Sequence, residues 1–307
     1  VMATGGFGRS ELAPYSDVDI MFLIPYRRTP RIEQIIEFIL YMLWDLGFKV
    51  GHATRSLNDA VRLSKEDLTI CTSLLDSRWV WGNTKLVSEF KARFVKEVTI
   101  SAGKSFVEAK LAERDRRHCR MGDTRYVLEP NIKEGKGGLR DLQTLFWITK
   151  YLYRVESVDD LVKSAVLTKD DVRRYNKAAK FFWTVRCHLH YEALRPEERL
   201  TFGVQDEISR RMRYRNSTSS RGVERFMKHY FLITKDVGDL TRTLCAVLES
   251  QQQKRRHFNW FPSFRSKNKE IEGFEVEGGR LNIKSYDEFT KMPKKLLQLF
   301  YLAQKYE

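Results

Sequence analysis

The 307-residue sequence has little cysteine, little proline and no apolar run long enough to cross a membrane. Its four cysteines are scattered, and none belongs to a C-x-x-C pair. That spacing argues against a disulfide framework and against a clustered metal site, and it favours the reducing cytoplasm. The most apolar long segment, 32–48, carries acidic and amide residues at helical spacing, which predicts an amphipathic helix and no membrane span.

The charge of the chain is mainly of one sign. It holds 55 lysine and arginine residues against 40 aspartate and glutamate residues, a formal net charge of +15. A basic surface attracts nucleotides, nucleic acids or acidic proteins. A composition that is basic throughout, with no specific partner, explains the same charge, so charge alone selects no function.

The chain is organised around residues 5–19, which read G-G-F-G-R-S-E-L-A-P-Y-S-D-V-D. Asp17 and Asp19 lead into an apolar run of strand-forming type. Side chains at positions i and i+2 of a strand point to the same face, so the two carboxylates should project together while Val18 and Ile20 face a core. Adjacent carboxylates repel each other unless a cation lies between them. Oxygen ligands that leave room for water and phosphate suit Mg²⁺.

A glycine turn precedes this acidic pair. Gly5, Gly6 and Gly8 have no side chains, so their backbone N–H groups can approach a phosphate closely. We predict a short helix over 9–12 that leaves the turn, and a helix N-terminus favours anions. A D-x-D pair alone is weak evidence for a metal site, because surface turns often contain one. Joined to the glycine turn and to an apolar strand, the pair predicts a phosphate cradle beside a metal platform.

A second glycine-rich stretch, 128–145, reads L-E-P-N-I-K-E-G-K-G-G-L-R-D-L-Q-T-L. Its loop, 135–138, is flanked by the basic residues Lys133 and Arg140. A predicted helix follows, with the acidic residue Asp141 in its first turn. The loop offers a second contact to a triphosphate. No serine or threonine follows a Gly-Lys pair, so the stretch is not a P-loop.

A two-metal mechanism usually needs a third carboxylate from a neighbouring strand. The strand that we predict over 48–54 carries Gly51 where such an acid would stand. Asp76, which we place in a later strand, is therefore the first candidate for the catalytic carboxylate, ahead of Asp67. An ion pair between Asp76 and Arg78, or a capped turn, explains Asp76 equally well.

Two resemblances rest on these stretches. The glycine turn, the spacer and the acidic-apolar-acidic strand resemble the DNA polymerase β-like nucleotidyltransferase superfamily. The stretches 5–19 and 128–145, together with the D-L-T-x-x-T-x-L-L-D-x-R segment at 67–78, resemble the N-terminal half of the bifunctional uridylyltransferase/uridylyl-removing enzymes of nitrogen regulation, which modify the PII signalling protein. Glutamine synthetase adenylyltransferase has a similar G-G-L-R-D segment, but the L-E-P-N-I-K lead-in favours the PII enzyme.

The resemblance implies transfer of UMP from UTP to a tyrosine hydroxyl of PII, with release of pyrophosphate and with Mg²⁺, or Mn²⁺ in its place. It implies that Asp17 and Asp19 are the metal ligands and catalytic residues, and we expect Asp76 to take the proton of the acceptor. The nucleotide-binding residues that follow from it are Gly5, Gly6, Gly8, Arg9, Ser16, Lys133, Gly137, Gly138, Arg140 and Asp141. For the group from Gly137 to Asp141, nucleotide binding and shaping of the pocket are equally open.

The resemblance and the periodicity together predict an α+β protein. A polymerase β-like nucleotidyltransferase core, with a mixed sheet flanked by helices, should occupy 1–100. Its opening residues read like the end of a strand, so we expect the protein to continue upstream. A helix and the glycine-rich loop at 101–145 should border the active site. A mainly helical domain should fill 146–307, with a β-hairpin at 274–283 and a final helix.

Other functions remain open at this stage. An adenylyltransferase or an RNA-end nucleotidyltransferase would use the same fold. The stretch 254–264 interleaves basic and aromatic residues, as single-stranded nucleic-acid sites do, so a catalytically silent nucleic-acid-binding module is another alternative. A charged linker is the commoner explanation of such a stretch, so nucleic acid is the less expected partner. We expect a cytoplasmic enzyme fragment that lacks the phosphohydrolase and glutamine-sensing domains of the family.

Overall fold

The computed structural model describes residues 1–26, 29–100, 102–258, 269–271, 274–277, 280–282 and 292–305. The chain divides into two compact units, 1–245 and 246–307. The α+β class predicted from the sequence is confirmed. The domain boundaries predicted at 100 and 145 fall within the first unit and remain predictions. No helix in the described part of the chain is long and apolar enough to cross a membrane.

The first unit contains a four-stranded mixed sheet. Its strands are β1 Met2–Ala3, β2 Val18–Ile24, β3 Val50–Ser56 and β4 Arg78–Trp79. The order across the sheet is β3-β2-β1-β4. Strand β2 runs parallel to β3, and β1 is antiparallel to both β2 and β4. This register sets Asp19 of β2 directly beside Gly51 of β3.

Helices make up most of the remaining structure. Those that begin and end in the first unit are α1 Gly5–Gly8, α2 Pro30–Asp45, α3 Leu57–Glu66, α4 Leu68–Leu75, α5 Thr84–Phe94, α6 Gly103–Arg120, α7 Leu139–Tyr153, α8 Asp160–Lys163, α9 Lys169–Ala193 and α10 Phe202–Arg211. A short π-helical segment, Val95–Thr99, follows α5. Helix α11, Gly222–Phe258, is the longest.

At its start, β2 alternates between side chains that face a core and the carboxylate of Asp19, and its residues 20–24 are all buried. Ile20 and Phe22 are buried in one hydrophobic cluster with Ile36 and Leu40 of α2, and Val18 packs against that cluster. The prediction that Val18 and Ile20 face a core is therefore confirmed. Because side chains alternate along a strand, the residue between them, Asp19, points to the other face.

Helix α7 fixes the position of the second glycine-rich stretch. Its apolar residues Leu142, Leu145 and Ile148 recur at helical spacing and are almost completely buried. At its end, the ring of Tyr151 stacks on Phe106 of α6 with 3.8 Å between ring centroids. The Tyr151 hydroxyl donates a hydrogen bond to the carbonyl of Val98 at 2.6 Å. These contacts fix α7 along its length. Because the glycine-rich loop ends at Leu139, the first residue of α7, the helix also fixes the end of that loop.

The second unit contains a small antiparallel sheet and a helix. The sheet consists of β5 Lys269–Ile271, β6 Phe274–Glu277 and β7 Arg280–Asn282, in that order. The pairing of β6 with β7 confirms the predicted hairpin, whose Gly-Gly turn lies outside the described residues. Helix α12, Lys294–Lys305, confirms the predicted final helix. Of the basic-aromatic stretch 254–264, only the helical backbone of 254–258 is described.

Two elements differ from the sequence prediction. The glycines do not form a turn before a helix, because Gly5–Gly8 is itself a single helical turn, α1. The chain leaves that turn with a left-handed residue, Ser10 at φ 61°, so the helix predicted over 9–12 is absent. Asp76 does not lie in a strand. It follows the last residue of α4, and β4 begins two residues later at Arg78.

Candidate active site

A cleft of about 610 Å³ is lined by α1, the loop before β2, strand β3, and helices α4, α7 and α9. The predicted site residues that line it are Gly5, Gly6, Arg9, Ser16, Asp17, Asp19, Asp76, Lys133 and Arg140. The predicted site residues that are not part of its lining are Gly8, Gly137, Gly138 and Asp141. The two motifs therefore meet in one cleft, although not every residue of each motif reaches it.

The acidic pair stands at the start of β2. Asp17 is exposed in the loop before the strand, and Asp19 is half-buried within it. Burial raises the pKa of Asp19, and the charge of Asp17 raises it further. The charges of Arg9 and Lys133 act in the opposite direction but do not outweigh these two effects. A cation between the two carboxylates would relieve both causes.

Two glycines enclose the carboxylate of Asp19. A Cβ atom on Gly5 would lie 2.7 Å from Asp19 Oδ2, and a Cβ atom on Gly51 would lie 2.6 Å from Asp19 Oδ1. Gly5 also has φ +55°, a conformation that L side chains rarely adopt. Gly51 therefore does not replace a missing acid on β3. Its lack of a side chain makes the room in which the Asp19 carboxylate lies.

The donor chemistry of this pair fits a magnesium ion. Across the described ranges, no group of three or more His, Cys, Asp or Glu side chains is placed to hold a metal. Mg²⁺ is commonly bound by one or two carboxylates together with water and substrate phosphates, whereas a site built only from protein side chains is unusual for it. Asp17 and Asp19, open to the cleft, provide that set.

Asp76 is an anchor for Arg9. Its side chain is fully buried, and Asp76 Oδ2 accepts hydrogen bonds from Arg9 Nη1 at 2.6 Å and from Trp147 Nε1 at 2.7 Å. Its other oxygen has no hydrogen-bond partner within the described residues and lies 3.9 Å from Lys150 Nζ. Three cationic or N–H groups therefore surround it. These contacts favour a positioning role for Asp76 over the metal-binding or proton-accepting role that we expected.

Trp147 of α7 is the aromatic centre of this wall of the cleft. The charged groups of Arg9 and Arg140 lie 5.6 and 5.5 Å from its ring centroid. The ammonium of Lys110, a buried residue of α6, lies 4.5 Å from the same centroid. Cations near an indole face are held by its quadrupole. Trp147 thus orients two arginines toward the cleft and, through its N–H, the carboxylate that holds one of them.

A second group of cations is centred on Glu198. Arg186 of α9 donates to both oxygens of Glu198 with Nε, at 2.9 and 3.1 Å. Lys133 Nζ lies 3.9 Å from Glu198 Oε1. Burial lowers the pKa of Lys133, and the nearby charges of Arg140 and Arg186 lower it further. A bound polyanion would relieve the repulsion among these three cations, so the wall is suited to phosphate groups.

His190 ties α9 to the loop that carries Asp17. The imidazole is completely buried, and its Nδ1 donates to the carbonyl of Pro14. Its Nε2 lies 3.6 Å from Glu198 Oε1. In the same loop the hydroxyl of Ser16 is buried without a partner among the described residues. The loop is therefore fixed from behind while Ser16 and Asp17 line the cleft.

Asp141 and the loop glycines make close contacts within the protein. Asp141 is buried, and it accepts hydrogen bonds from Arg117, from His118 Nε2 and from the Gly137 backbone N–H at 2.7 Å. A Cβ atom on Gly137 would lie 2.5 Å from the Thr234 carbonyl oxygen, and one on Gly138 would lie 2.7 Å from that of Ile132. Of the two roles left open by the sequence, these contacts favour shaping of the pocket. Gly8 is similar, since its Cβ would lie 2.3 Å from the Asp76 carbonyl oxygen.

Nearly the whole chain is similar to known proteins. The GlnD PII-uridylyltransferase family model matches residues 105–245. The bifunctional uridylyltransferase/uridylyl-removing enzyme of Azospirillum brasilense is 55% identical over 305 residues, 99% of this chain and 33% of the relative. The chain is a homologue of these enzymes, as its motifs predicted. The enzyme of the same name from Rhodospirillum rubrum is 54% identical over 303 residues, 99% of this chain and 32% of the relative. The chain spans about a third of the length of the curated relatives it matches.

Sequence reasoning missed Trp147, Arg186, His190 and Glu198. The first lies in α7 and was not separated from the apolar residues of that helix. Arg186 and His190 are four residues apart on α9, so they share a face, but the aromatic residues around them predicted only a core helix. A polar pair within the buried and mainly apolar face of a helix is the pattern that would have pointed to Arg186 and His190.

Proposed function

We propose that this chain transfers UMP from UTP to a tyrosine hydroxyl of a PII signalling protein and releases pyrophosphate. The observation that best supports this proposal is a single cleft with two kinds of wall. One wall holds the acidic pair Asp17 and Asp19, with the Asp19 carboxylate enclosed by glycines, and the other wall is cationic. Acids that hold a divalent cation and bases that hold phosphates are the two requirements of nucleotidyl transfer. Both relatives are named uridylyltransferases, which supports the uridylyl group, and the family model is that of a PII-uridylyltransferase, which supports the PII acceptor.

The acceptor oxygen would attack the α-phosphorus of UTP while its hydroxyl proton passes to water, and the bond from the α-phosphorus to the oxygen that bridges to the β-phosphate would break so that pyrophosphate leaves. Asp17 and Asp19 would hold Mg²⁺, which supplies charge neutralisation and a lower pKa of the acceptor hydroxyl when bound. Lys133 and Arg140 would bind the phosphates as they gain charge. The backbone N–H groups of Gly5 and Gly6 would add further donors at the cleft.

Arg9 would stabilise the charge that develops on the phosphates. It is held by Asp76 on one side and by Glu11 on the other, with 2.9 Å between Arg9 Nε and Glu11 Oε2. Burial works to lower the pKa of Arg9, and the hydrogen bonds and charges of Asp76 and Glu11 outweigh this, so its pKa is raised. The guanidinium therefore stays charged, and a fixed cation needs no reorganisation during the reaction.

The reaction is tested by incubating the 307-residue chain with radiolabelled UTP or ATP, Mg²⁺ and one acceptor at a time. The acceptors are a PII protein, its variant with the accepting tyrosine changed to phenylalanine, glutamine synthetase and a short RNA. We expect label from UTP on PII, none on the phenylalanine variant, and equimolar pyrophosphate. Labelling of another acceptor, or use of ATP in preference to UTP, would overturn the proposal while leaving the nucleotidyltransferase chemistry intact.

Gly51→Ala should lower the rate of transfer at least tenfold while the sheet remains folded. The added methyl group would overlap Asp19 Oδ1, so the carboxylate must turn away from its place in the cleft. A misplaced group at a reacting centre can cost about 10²-fold in rate. The rate is measured under saturating UTP and Mg²⁺, and folding is followed by circular dichroism.

The matched control is Gly203→Ala. Gly203 lies in α10, and a Cβ atom there would meet nothing within 4 Å. Its transfer rate should equal that of the unaltered chain. An unchanged rate for Gly51→Ala would show that the position of the Asp19 carboxylate is unimportant.

We also propose that the protein acts in the cytoplasm. All four cysteines are free thiols. Burial raises the pKa of Cys71 to about 12, so this buried thiol stays protonated and unreactive near neutral pH. Free thiols of this kind are compatible with a reducing compartment.

A further inference from the structure

A second pocket, of about 350 Å³, lies behind the glycine-rich loop and shares no lining residue with the cleft. We call it the Arg125 pocket. Its charged lining residues are Arg120, Arg125, Lys136, Arg199 and Glu129, and Tyr230 of α11 also contributes. Four cations therefore meet one carboxylate in a space large enough for a small molecule. Such a charge balance favours an anionic occupant.

Partner acids compensate only part of this charge. Lys136 Nζ lies 2.7 Å from Asp123 Oδ1, and Arg199 Nη2 lies 3.3 Å from Glu129 Oε2. Arg120 and Arg125 have no acidic partner in the portion of the chain that the structure describes. Arg125 is also partly buried, so water screens its charge less than it would on an open surface.

The Arg125 guanidinium packs against Gly238. A Cβ atom on Gly238, in the middle of α11, would lie 2.5 Å from Arg125 Nη2 and 2.6 Å from its Cζ. Glycine inside a helix lowers helix stability relative to alanine, so its presence at this point has a cost. The absence of a side chain on Gly238 lets the flat guanidinium of Arg125 lie against the surface of α11. Arg125 also lines the pocket, so Gly238 helps to fix the position of a cation of its lining.

The pocket and the cleft share a wall. The segment 129–132 runs beside 198–200, with hydrogen bonds from Ile132 N to the Glu198 carbonyl at 2.9 Å and from Leu200 N to the Pro130 carbonyl at 2.9 Å. Two successive residues of this segment line different cavities: Glu198 lines the cleft and Arg199 lines the Arg125 pocket. The glycine-rich stretch is divided in the same way, with Lys133 in the cleft and Lys136 in the pocket.

We propose that the Arg125 pocket is a second binding site, distinct from the nucleotide cleft, for a small polyanion of the phosphate, pyrophosphate or dicarboxylate type. Arg125 and Arg120 provide the positive charge that no acidic residue in the described ranges compensates, and Arg199 and Lys136 line the pocket as further hydrogen-bond donors. The site does not depend on the proposed transfer reaction. Arg199 of the pocket directly follows Glu198 of the cleft in the sequence, and Lys136 lies in the same loop as Lys133. A bound anion would therefore contact residues that neighbour both cleft residues.

The test is isothermal titration calorimetry of the full 307-residue chain with pyrophosphate, inorganic phosphate and succinate, in a buffer freed of divalent metals with a chelating resin and containing no soluble chelator. We expect two classes of site for at least one of these anions. Arg125→Gln should weaken one class at least tenfold and leave the other. Gly238→Ala should weaken the same class, because its methyl group displaces the guanidinium, while its melting temperature does not fall. Arg140→Gln should weaken only the other class, which belongs to the cleft.

The control for charge alone is Arg173→Gln. Arg173 is an exposed residue of α9, with 81% of its side chain accessible, and it pairs with Asp170. It should leave both classes unchanged. The proposal is overturned if no anion shows a class of site that depends on Arg125, or if Arg173→Gln weakens binding as much as Arg125→Gln does.

Discussion

Asp19→Asn should lower the rate of UMP transfer by about 10³-fold, since a bound metal ion contributes several kcal/mol of charge stabilisation and each 1.36 kcal/mol is a factor of ten. Asparagine has nearly the same shape as aspartate, so Gly5 and Gly51 still enclose it. The amide offers no negative charge to a divalent cation. The measurement is single-turnover transfer of labelled UMP to PII at saturating UTP.

The same substitution should stabilise the metal-free protein at neutral pH. Burial and the charge of Asp17 raise the pKa of Asp19 above its ordinary value of 3.8. A raised carboxyl pKa means that the folded state binds the proton more tightly, so stability falls as the pH rises through the interval between the ordinary and the raised value. Above that interval the ionised Asp19 lowers stability, and asparagine removes this effect. Thermal melting in EDTA at pH 7 measures it.

Magnesium separates this account from simple damage to the fold. Mg²⁺ should raise the melting temperature of the unaltered chain, because binding to the folded state alone stabilises it. It should have little effect on Asp19→Asn. The control is Asp45→Asn, at the exposed end of α2, which should keep the full rate and the full response to Mg²⁺. A normal rate of labelling by Asp19→Asn would disprove the site.

The parts of the site that could be predicted are those that depend on residues consecutive in the sequence. The acidic pair depends on a period of two that is visible in 17–20, and the strand behind it is an apolar run, 20–24, that is buried throughout. The amphipathic helix α2 is equally local, with Thr29 accepting from Ile32 N at its start and Pro30 at its first position. The loop before α7 was predicted from its glycines, and the helix begins directly after it at Leu139.

The parts that could not be predicted depend on contacts between distant residues. His190 binds the carbonyl of Pro14, 176 residues earlier, and Trp147 donates to Asp76, 71 residues earlier. No local pattern encodes which helix face meets which loop. The surroundings of Asp76 have the same origin. Its place near a predicted strand suggested a third catalytic acid, whereas the fold buries its side chain between Arg9 and Trp147, which favours a positioning role.

Asp141→Asn is expected to give the largest loss of stability, about 3–5 kcal/mol, the usual result of removing one partner of a buried ion pair. Asp141 and Arg117 are 4% and 3% exposed, and His118 also bonds to the carboxylate. Asparagine keeps the shape but removes the nearest counter-charge of the buried Arg117, whose other acidic neighbour, Glu134, lies 3.8 Å away. The Gly137 N–H, which fixes the glycine-rich loop, would also lose its charged acceptor. Urea unfolding at pH 7 measures the change.

The pH dependence of that loss identifies its cause. Burial works to raise the pKa of Asp141, but the hydrogen bond from His118, the charge of Arg117 and the Gly137 N–H outweigh it, so the pKa is lowered. A lowered carboxyl pKa gives stability that is complete above the ordinary value of 3.8 and is lost as the pH falls through the folded value. The difference in unfolding free energy between the unaltered chain and Asp141→Asn should therefore shrink below pH 3.8.

A surface aspartate provides the matched control. The hydrogen bonds from Lys163 and Ser157 lower the pKa of Asp160 to about 2, yet its side chain is accessible to water. Exposed ion pairs contribute little to stability, because solvent screens them. Asp160→Asn should therefore unfold at nearly the same urea concentration as the unaltered chain. If Asp141→Asn did so too, the buried contacts among Asp141, Arg117 and His118 would not hold the glycine-rich loop, and the cationic wall of the cleft would need another support.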